Sequence, residues 1–140
     1  MNKKHLLAGV FLSLLVVGPL MALDVTIDIK PGSDDNAINL GSNGVVPVAI
    51  LSTAEFDATD VDPETVVLEG STVAIRGNGK KYLAQEEDIN SDGLTDLVLQ
   101  VETENFTPGS LQDGVASLSG KTTGGQLIEG EDTITIVPPE

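Results

Sequence analysis

The sequence predicts an all-β fold, a single-domain antiparallel β-sandwich or irregular barrel of about eight or nine strands. Three observations carry this reading. Short runs rich in Val, Ile and Thr recur at fairly even spacing, and clusters of Gly, Asn, Asp and Pro separate them. No long stretch alternates strand with helix, which disfavours a parallel α/β sheet.

The first segment, MNKKHLLAGVFLSLLVVGPLMA (residues 1–22), has the plan of a signal peptide. Lys3 and Lys4 make a basic start, Leu6 to Val17 an apolar stretch, Gly18 and Pro19 a break, and Ala22 a small residue at the cleavage point. An uncleaved membrane anchor would need about 20 apolar residues, and this run is shorter and interrupted by Pro19. The expected product is a secreted or periplasmic domain spanning residues 23–140.

Within it, Val25, Ile27 and Ile29 alternate with Thr26, Asp28 and Lys30, the period of a half-buried strand, and PGSDDN closes that strand with a turn. Asn43-Gly44 introduces VVPVAIL, whose near-continuous apolar character predicts a more buried strand. Pro47 places it at an edge or a bulge, because proline cannot donate to a ladder. STAEFDATDVDPET predicts one or two short helical turns, around Ala54 to Phe56 and Pro63 to Thr65. TVVLEG and TVAIR follow as strands. Gly77-Asn78-Gly79 is a tight-hairpin signal, since both residue types tolerate positive φ, so KYLAQ pairs back on the preceding run. DLVLQVE, GVASLSGKT, the Gly124-Gly125 turn, QLIEG and DTITIVP complete the series.

Composition narrows the chemistry. The chain holds 22 acidic and 7 basic residues, a formal net charge of −15, and losing Lys3 and Lys4 with the signal makes the exported domain more negative still. Nucleic acid and anionic membrane surfaces are therefore disfavoured, because phosphate binding draws on Lys and Arg. Cations are the natural counterpart. With no cysteine, and with the single histidine, His5, inside the signal, thiol nucleophiles, Ser-His-Asp triads and His- or thiolate-ligated metals are excluded from the domain.

One stretch concentrates the charge. In EEDINSDGLTDLVLQ (86–100), Glu86, Glu87, Asp88, Asp92 and Asp96 crowd together. Counted from Asp88 as position one, Asn90 and Asp92 stand at three and five, Gly93 at six, Leu94 at seven and Asp96 at nine. Calcium loops present side-chain oxygens at these spacings, with glycine at six for the sharp turn and a backbone carbonyl at seven. The expected ligands are thus Asp88, Asn90, Asp92, Asp96 and the Leu94 carbonyl, with Ca2+ as cofactor. Two departures separate the loop from an EF-hand: Leu99 stands at position twelve in place of a bidentate Glu, and Thr95 at eight in place of an apolar residue. The β-branched content that follows favours a strand after the loop. Glu86, Glu87, or more distant carboxylates such as Asp28, Asp34 and Asp35, are candidates for the missing oxygens.

DINSDGLTDLVLQ resembles the calcium loop of integrin-type propeller repeats, which runs straight into a β-strand; a single copy cannot build a propeller. More widely, IDIKPGS (27–33), NAINLGSNGVVPVAIL (36–51), FDATDVDPETV (56–66), EDINSDGLTDLVL (87–99) and LSGKTTGGQLIEGEDTITIV (118–137) resemble a family of secreted bacterial β-modules found alone or attached to larger exported proteins, often ones carrying a PEP-CTERM sorting tail. The resemblance implies an exported accessory domain with a calcium loop and no established reaction. Only PPE follows Val137, so free secretion or periplasmic residence is expected rather than surface anchoring.

The leading functional reading is a non-catalytic, calcium-stabilised β-module acting in adhesion, matrix or accessory binding, with an extracellular protein or a polysaccharide as partner. The alternative is an acid-base, glycosidase-like hydrolase, since paired carboxylates such as Glu86 and Glu102 can act without histidine; a carbohydrate-binding module is a third reading. Phe56, Tyr82 and Phe106 are the only aromatic residues after processing, which leaves little for sugar stacking. Phe56 and Phe106 are expected in the core and Tyr82 at its edge, Lys80 and Lys81 at a solvated hairpin tip.

Overall fold

The computed structural model describes residues 21–39, 43–78, 81–106, 111 and 113–137. The signal reading for residues 1–20, Lys80 and Gly79 of the Gly-Asn-Gly hairpin signal lie outside them. The strands are β1 (Leu23–Asp24), β2 (Thr26–Ile29), β3 (Ala37–Ile38), β4 (Val45–Leu51), β5 (Val67–Leu68), β6 (Ser71–Thr72), β7 (Ile75–Arg76), β8 (Lys81–Tyr82), β9 (Ala84–Glu87), β10 (Asp96–Glu102), β11 (Val115–Lys121), β12 (Leu127–Thr133) and β13 (Thr135–Ile136). The fold is all-β as expected. The strands outnumber the eight or nine predicted because seven are two-residue pieces, too short for alternation to register in sequence.

Two sheets form the body, one in the order β1-β12-β11-β5-β6 and the other β2-β4-β10-β9. Neither closes on itself, so the architecture is a sandwich rather than a barrel. Strand register explains the core. Ile27, Ile50 and Leu97 stand side by side on β2, β4 and β10, and Ile29, Val48 and Leu99 form the next row. These rows and Leu68, Ala116, Leu118 and Ile128 from the other sheet belong to one buried cluster. Each fully buried aliphatic side chain contributes about 1.5–3 kcal/mol. Phe106 joins this core, while Phe56 and Tyr82 pack on it half-buried.

The segment 23–29 belongs to both sheets. β1 runs parallel to β12, and after Val25 the chain passes into the second sheet as β2. Gly130 makes this crossing possible: a Cβ there would lie 2.6 Å from the Val25 carbonyl oxygen.

Several expectations need correction. Pro47 does not mark an edge strand, because β4 lies between β2 and β10. β2 has already turned away at Lys30, whose φ is 53°, and Lys30 N–H donates to the Pro47 carbonyl at 2.8 Å. The opposite residue, Gln100, directs its N–H and C=O to Leu83 and Ala74 instead. The missing N–H of Pro47 therefore breaks no rung of the ladder. The first helical turn lies at Ala58–Asp60 rather than Ala54–Phe56, since Asp57 caps it through the Thr59 N–H; the second is at Pro63–Thr65 as expected. QLIEG and DTITIVP do not divide where expected: β12 continues through Gly130 to Thr133, and only Thr135–Ile136 stands apart as β13. One unpredicted hairpin joins β5 to β6 through Glu69 and Gly70, both at positive φ, the pairing that two-residue hairpin loops favour.

Candidate metal site

The acidic loop is placed by the sheet that flanks it. β9 and β10 are antiparallel neighbours with Glu87 opposite Asp96, so residues 88–95 must leave and return at adjacent points. Ser91 at φ 60° and Gly93 at φ 88° supply the sharp reversal. A side chain at Gly93 would meet nothing within 4 Å, so backbone conformation, not space, makes glycine suitable there.

The loop then fixes its own carboxylates. Asp88 Oδ1 accepts from the Asp92 N–H at 3.3 Å and its Oδ2 from the Gly93 N–H at 2.9 Å. Asp92 Oδ1 accepts from the Leu94 N–H at 2.9 Å. Asp96, fully buried, accepts from the Ser52 N–H through Oδ1 at 2.8 Å and from the Ile89 N–H through Oδ2 at 2.9 Å. Charge-assisted bonds of this kind are the stronger class. The result is one ligand oxygen each from Asp88, Asp92 and Asp96, all within 4.8 Å of one another. This cluster could hold a metal ion.

Asn90 belongs to the same group. One end of its amide lies 3.2 Å from Asp88 Oδ1 and 3.0 Å from Asp92 Oδ1. With the amide nitrogen turned inward it donates to both carboxylates. Turned the other way it adds a third oxygen at the same spot, an orientation that only a cation makes favourable.

Four of the five predicted ligand residues, Asp88, Asn90, Asp92 and Asp96, thus converge. The fifth, Leu94, is exposed and donates its N–H to Asp92. Leu99 is fully buried in β10, so the strand reading of the stretch after Asp96 holds. Among the described residues the cluster of three carboxylates takes in neither Glu86 nor Glu87, and Glu87 accepts from the Gln85 amide at 3.0 Å. Asp28 instead faces Asp132: burial, and then that neighbouring charge, raise its carboxyl above 3.8. Asp34 and Asp35 are exposed, with Asp35 bound by Ser33. None of these three completes the site.

Sequence reasoning missed Ser52. Its backbone N–H holds Asp96, its Oγ donates to the Thr95 carbonyl at 2.6 Å, and the same oxygen accepts from the buried Ala58 N–H at 2.8 Å. No local signal marks it, since it lies 44 residues from Asp96. Between the 53–60 segment and the loop runs a cleft of about 630 Å³, bordered by Glu55, Asp57, Asp60, Glu86 and Leu94.

The nominated acid-base pair is far apart. Glu86 stands opposite Leu97, and Glu102 lies five residues further along β10, about 17 Å at strand rise. Glycosidase carboxylates work at separations of about 5–9.5 Å. Glu102 also accepts from Asn105 at 2.7 Å.

No family model, curated protein or solved structure matches this chain.

Proposed function

We propose that the protein is a non-catalytic, calcium-stabilised β-module, exported to the periplasm or beyond and acting by contact as an adhesion, matrix or accessory component. One observation carries the reading: the oxygens of Asp88, Asp92 and Asp96 lie within 4.8 Å of one another, with the Asn90 amide beside two of them. Calcium binds oxygen at 2.3–2.6 Å, so opposite ligands stand about 4.6–5.2 Å apart, a span that contains the cluster. A donor set made only of hard oxygens suits calcium better than zinc or copper. The resemblance to secreted bacterial β-modules points the same way.

Asp88 and Asp92 would be direct ligands, with Asn90 Oδ1 and the Leu94 carbonyl completing one side. Asp96 would anchor the ion to the body of the sheet. Without a bidentate ligand at position twelve, affinity falls in the class of extracellular modules, with Kd of about 0.1–1 mM. Calcium at about 1 mM then adds about 0.4–1.4 kcal/mol of stability by mass action. The ion would pin the β9–β10 connection and, through Ser52, the segment that begins at β4's end. Thermal melts in calcium and in chelator test this: the parent melts higher with calcium, and Asp88→Ala or Asp92→Ala removes the difference. Identical parent melts in both buffers would sink the reading.

A further inference from the structure

β9 borders two concavities, its Glu86 lining the cleft beside the acidic loop and its Gln85 a second one. Arg76 and Lys81 stand directly opposite each other on β7 and β8. Like charges in that position destabilise a hairpin. Although the chain has 22 acidic residues, neither cationic side chain makes a hydrogen bond or an ion pair among the described residues. Both line a cavity of about 260 Å³ with Tyr82, Gln85, Val98 and Gln100.

The lining combines three chemistries. Val98, together with Ala84 and Leu83, supplies an apolar floor, and Val98 is only 6% exposed. Gln85 and Gln100 offer amides; Gln85 Nε2 is occupied by Glu87, which leaves its carbonyl oxygen as acceptor. Two unpaired cations complete the wall. The volume is below the roughly 300–1,000 Å³ of sites for drug-sized ligands, so it suits one sugar ring. From these features we infer that this cavity binds a carboxylated sugar, the hexuronate unit of an acidic polysaccharide. The carboxylate pairs with Arg76 and Lys81, ring hydroxyls bond the glutamine amides, and the apolar ring face rests on Val98. Glu87, bonded to Gln85 Nε2 at 3.0 Å, borders the site and opposes an anion there, but the remoter negative charge of the domain does not prevent binding. Beyond about 8 Å it is screened at physiological ionic strength, whereas contact pairs with a guanidinium are charge-assisted and geometrically specific.

Methyl glucuronide and methyl glucoside differ only in the carboxylate, which makes them the probes. In amide-resolved NMR titrations of the protein, the glucuronide should shift resonances of Arg76, Lys81, Gln85 and Gln100. The glucoside should bind at least about tenfold more weakly, and inorganic sulfate should not reproduce the Gln85 and Gln100 shifts. Arg76→Gln/Lys81→Gln should weaken glucuronide binding by about tenfold or more with a melting temperature no lower than the parent's, since both side chains are exposed and their mutual repulsion is removed. Lys121→Gln, on the other sheet, should leave binding as in the parent. Glucuronide shifts that are absent, that survive the double substitution, or that the glucoside or sulfate matches would overturn the proposal.

Discussion

The carboxylate of Asp96 holds the backbone N–H of Ser52 at 2.8 Å, across 44 residues of sequence. The pair joins the last carboxylate of the acidic loop to the end of β4. It also separates two roles within one cluster, because Asp88 and Asp92 are exposed and bond only their own loop, whereas Asp96 is buried and bonds the body of the fold.

Asp96→Ala should therefore destabilise the protein even in chelator. It leaves the Ser52 and Ile89 N–H groups without their acceptor, at about 1–3 kcal/mol for each buried group. Asp88→Ala in chelator should cost well under that. Urea denaturation of both variants in chelator measures the contrast, and equal losses would contradict this division of roles.

Ser52→Ala removes the hydroxyl shared by the Thr95 carbonyl and the Ala58 N–H. Ala58 is fully buried, so the unpaired N–H should cost about 1–3 kcal/mol. Because the same hydroxyl ties the 52–60 segment to the metal loop, calcium should stabilise the variant less than the parent. Denaturant midpoints with and without calcium report both effects.

Gly130→Ala should be among the most damaging single-methyl additions. The new Cβ would meet the Val25 carbonyl oxygen at 2.6 Å and the Ile27 side chain at 3.2 Å. A Cβ is fixed by its own main chain and the carbonyl by its strand, so neither can yield by side-chain rotation and a loss of about 1–3 kcal/mol is expected. A melting temperature equal to the parent's would show that the β1–β2 crossing is looser than described.

Asp28→Asn should change sign-definite pH behaviour. Burial, and then the charge of Asp132, raise the Asp28 carboxyl above 3.8. Below that pH the group is protonated in both the folded and the unfolded chain. As pH rises, the unfolded chain ionises first, and the folded state loses stability through the raised folded value. At neutral pH the substitution should therefore stabilise, by less than about 1 kcal/mol because the carboxyl is only partly buried and solvent still screens it. The gain should vanish below pH 3.8, as stability curves of variant and parent across pH 3–7 will show.

Much of this could be read from local pattern. Ile27 and Ile29, Val46 and Val48, and Leu97 and Leu99 announced their strands by alternation or apolar run. Asp88, Asn90, Asp92, Gly93 and Asp96 announced a loop because the signal lies within nine residues. Where the reading went astray, the deciding contact was distant. Pro47 looked like an edge residue until Lys30 turned away beside it. The boundary between QLIEG and DTITIVP looked fixed near Gly130 until the seven-residue pairing of β12 with β11 carried that strand on to Thr133 and left only Thr135–Ile136 as β13.

The sequence by itself determined the strand class, the acidic loop and its oxygen-only donor set, because spacing along the chain controls side-chain period and turn geometry. Only the tertiary structure decided that Ser52 anchors Asp96, that Asp28 turns to Asp132 rather than to the acidic loop, and that Arg76 faces Lys81 beside a cavity. Those relationships depend on which strands become neighbours, and pairing between residues far apart in sequence is settled by the shared core rather than by any local preference.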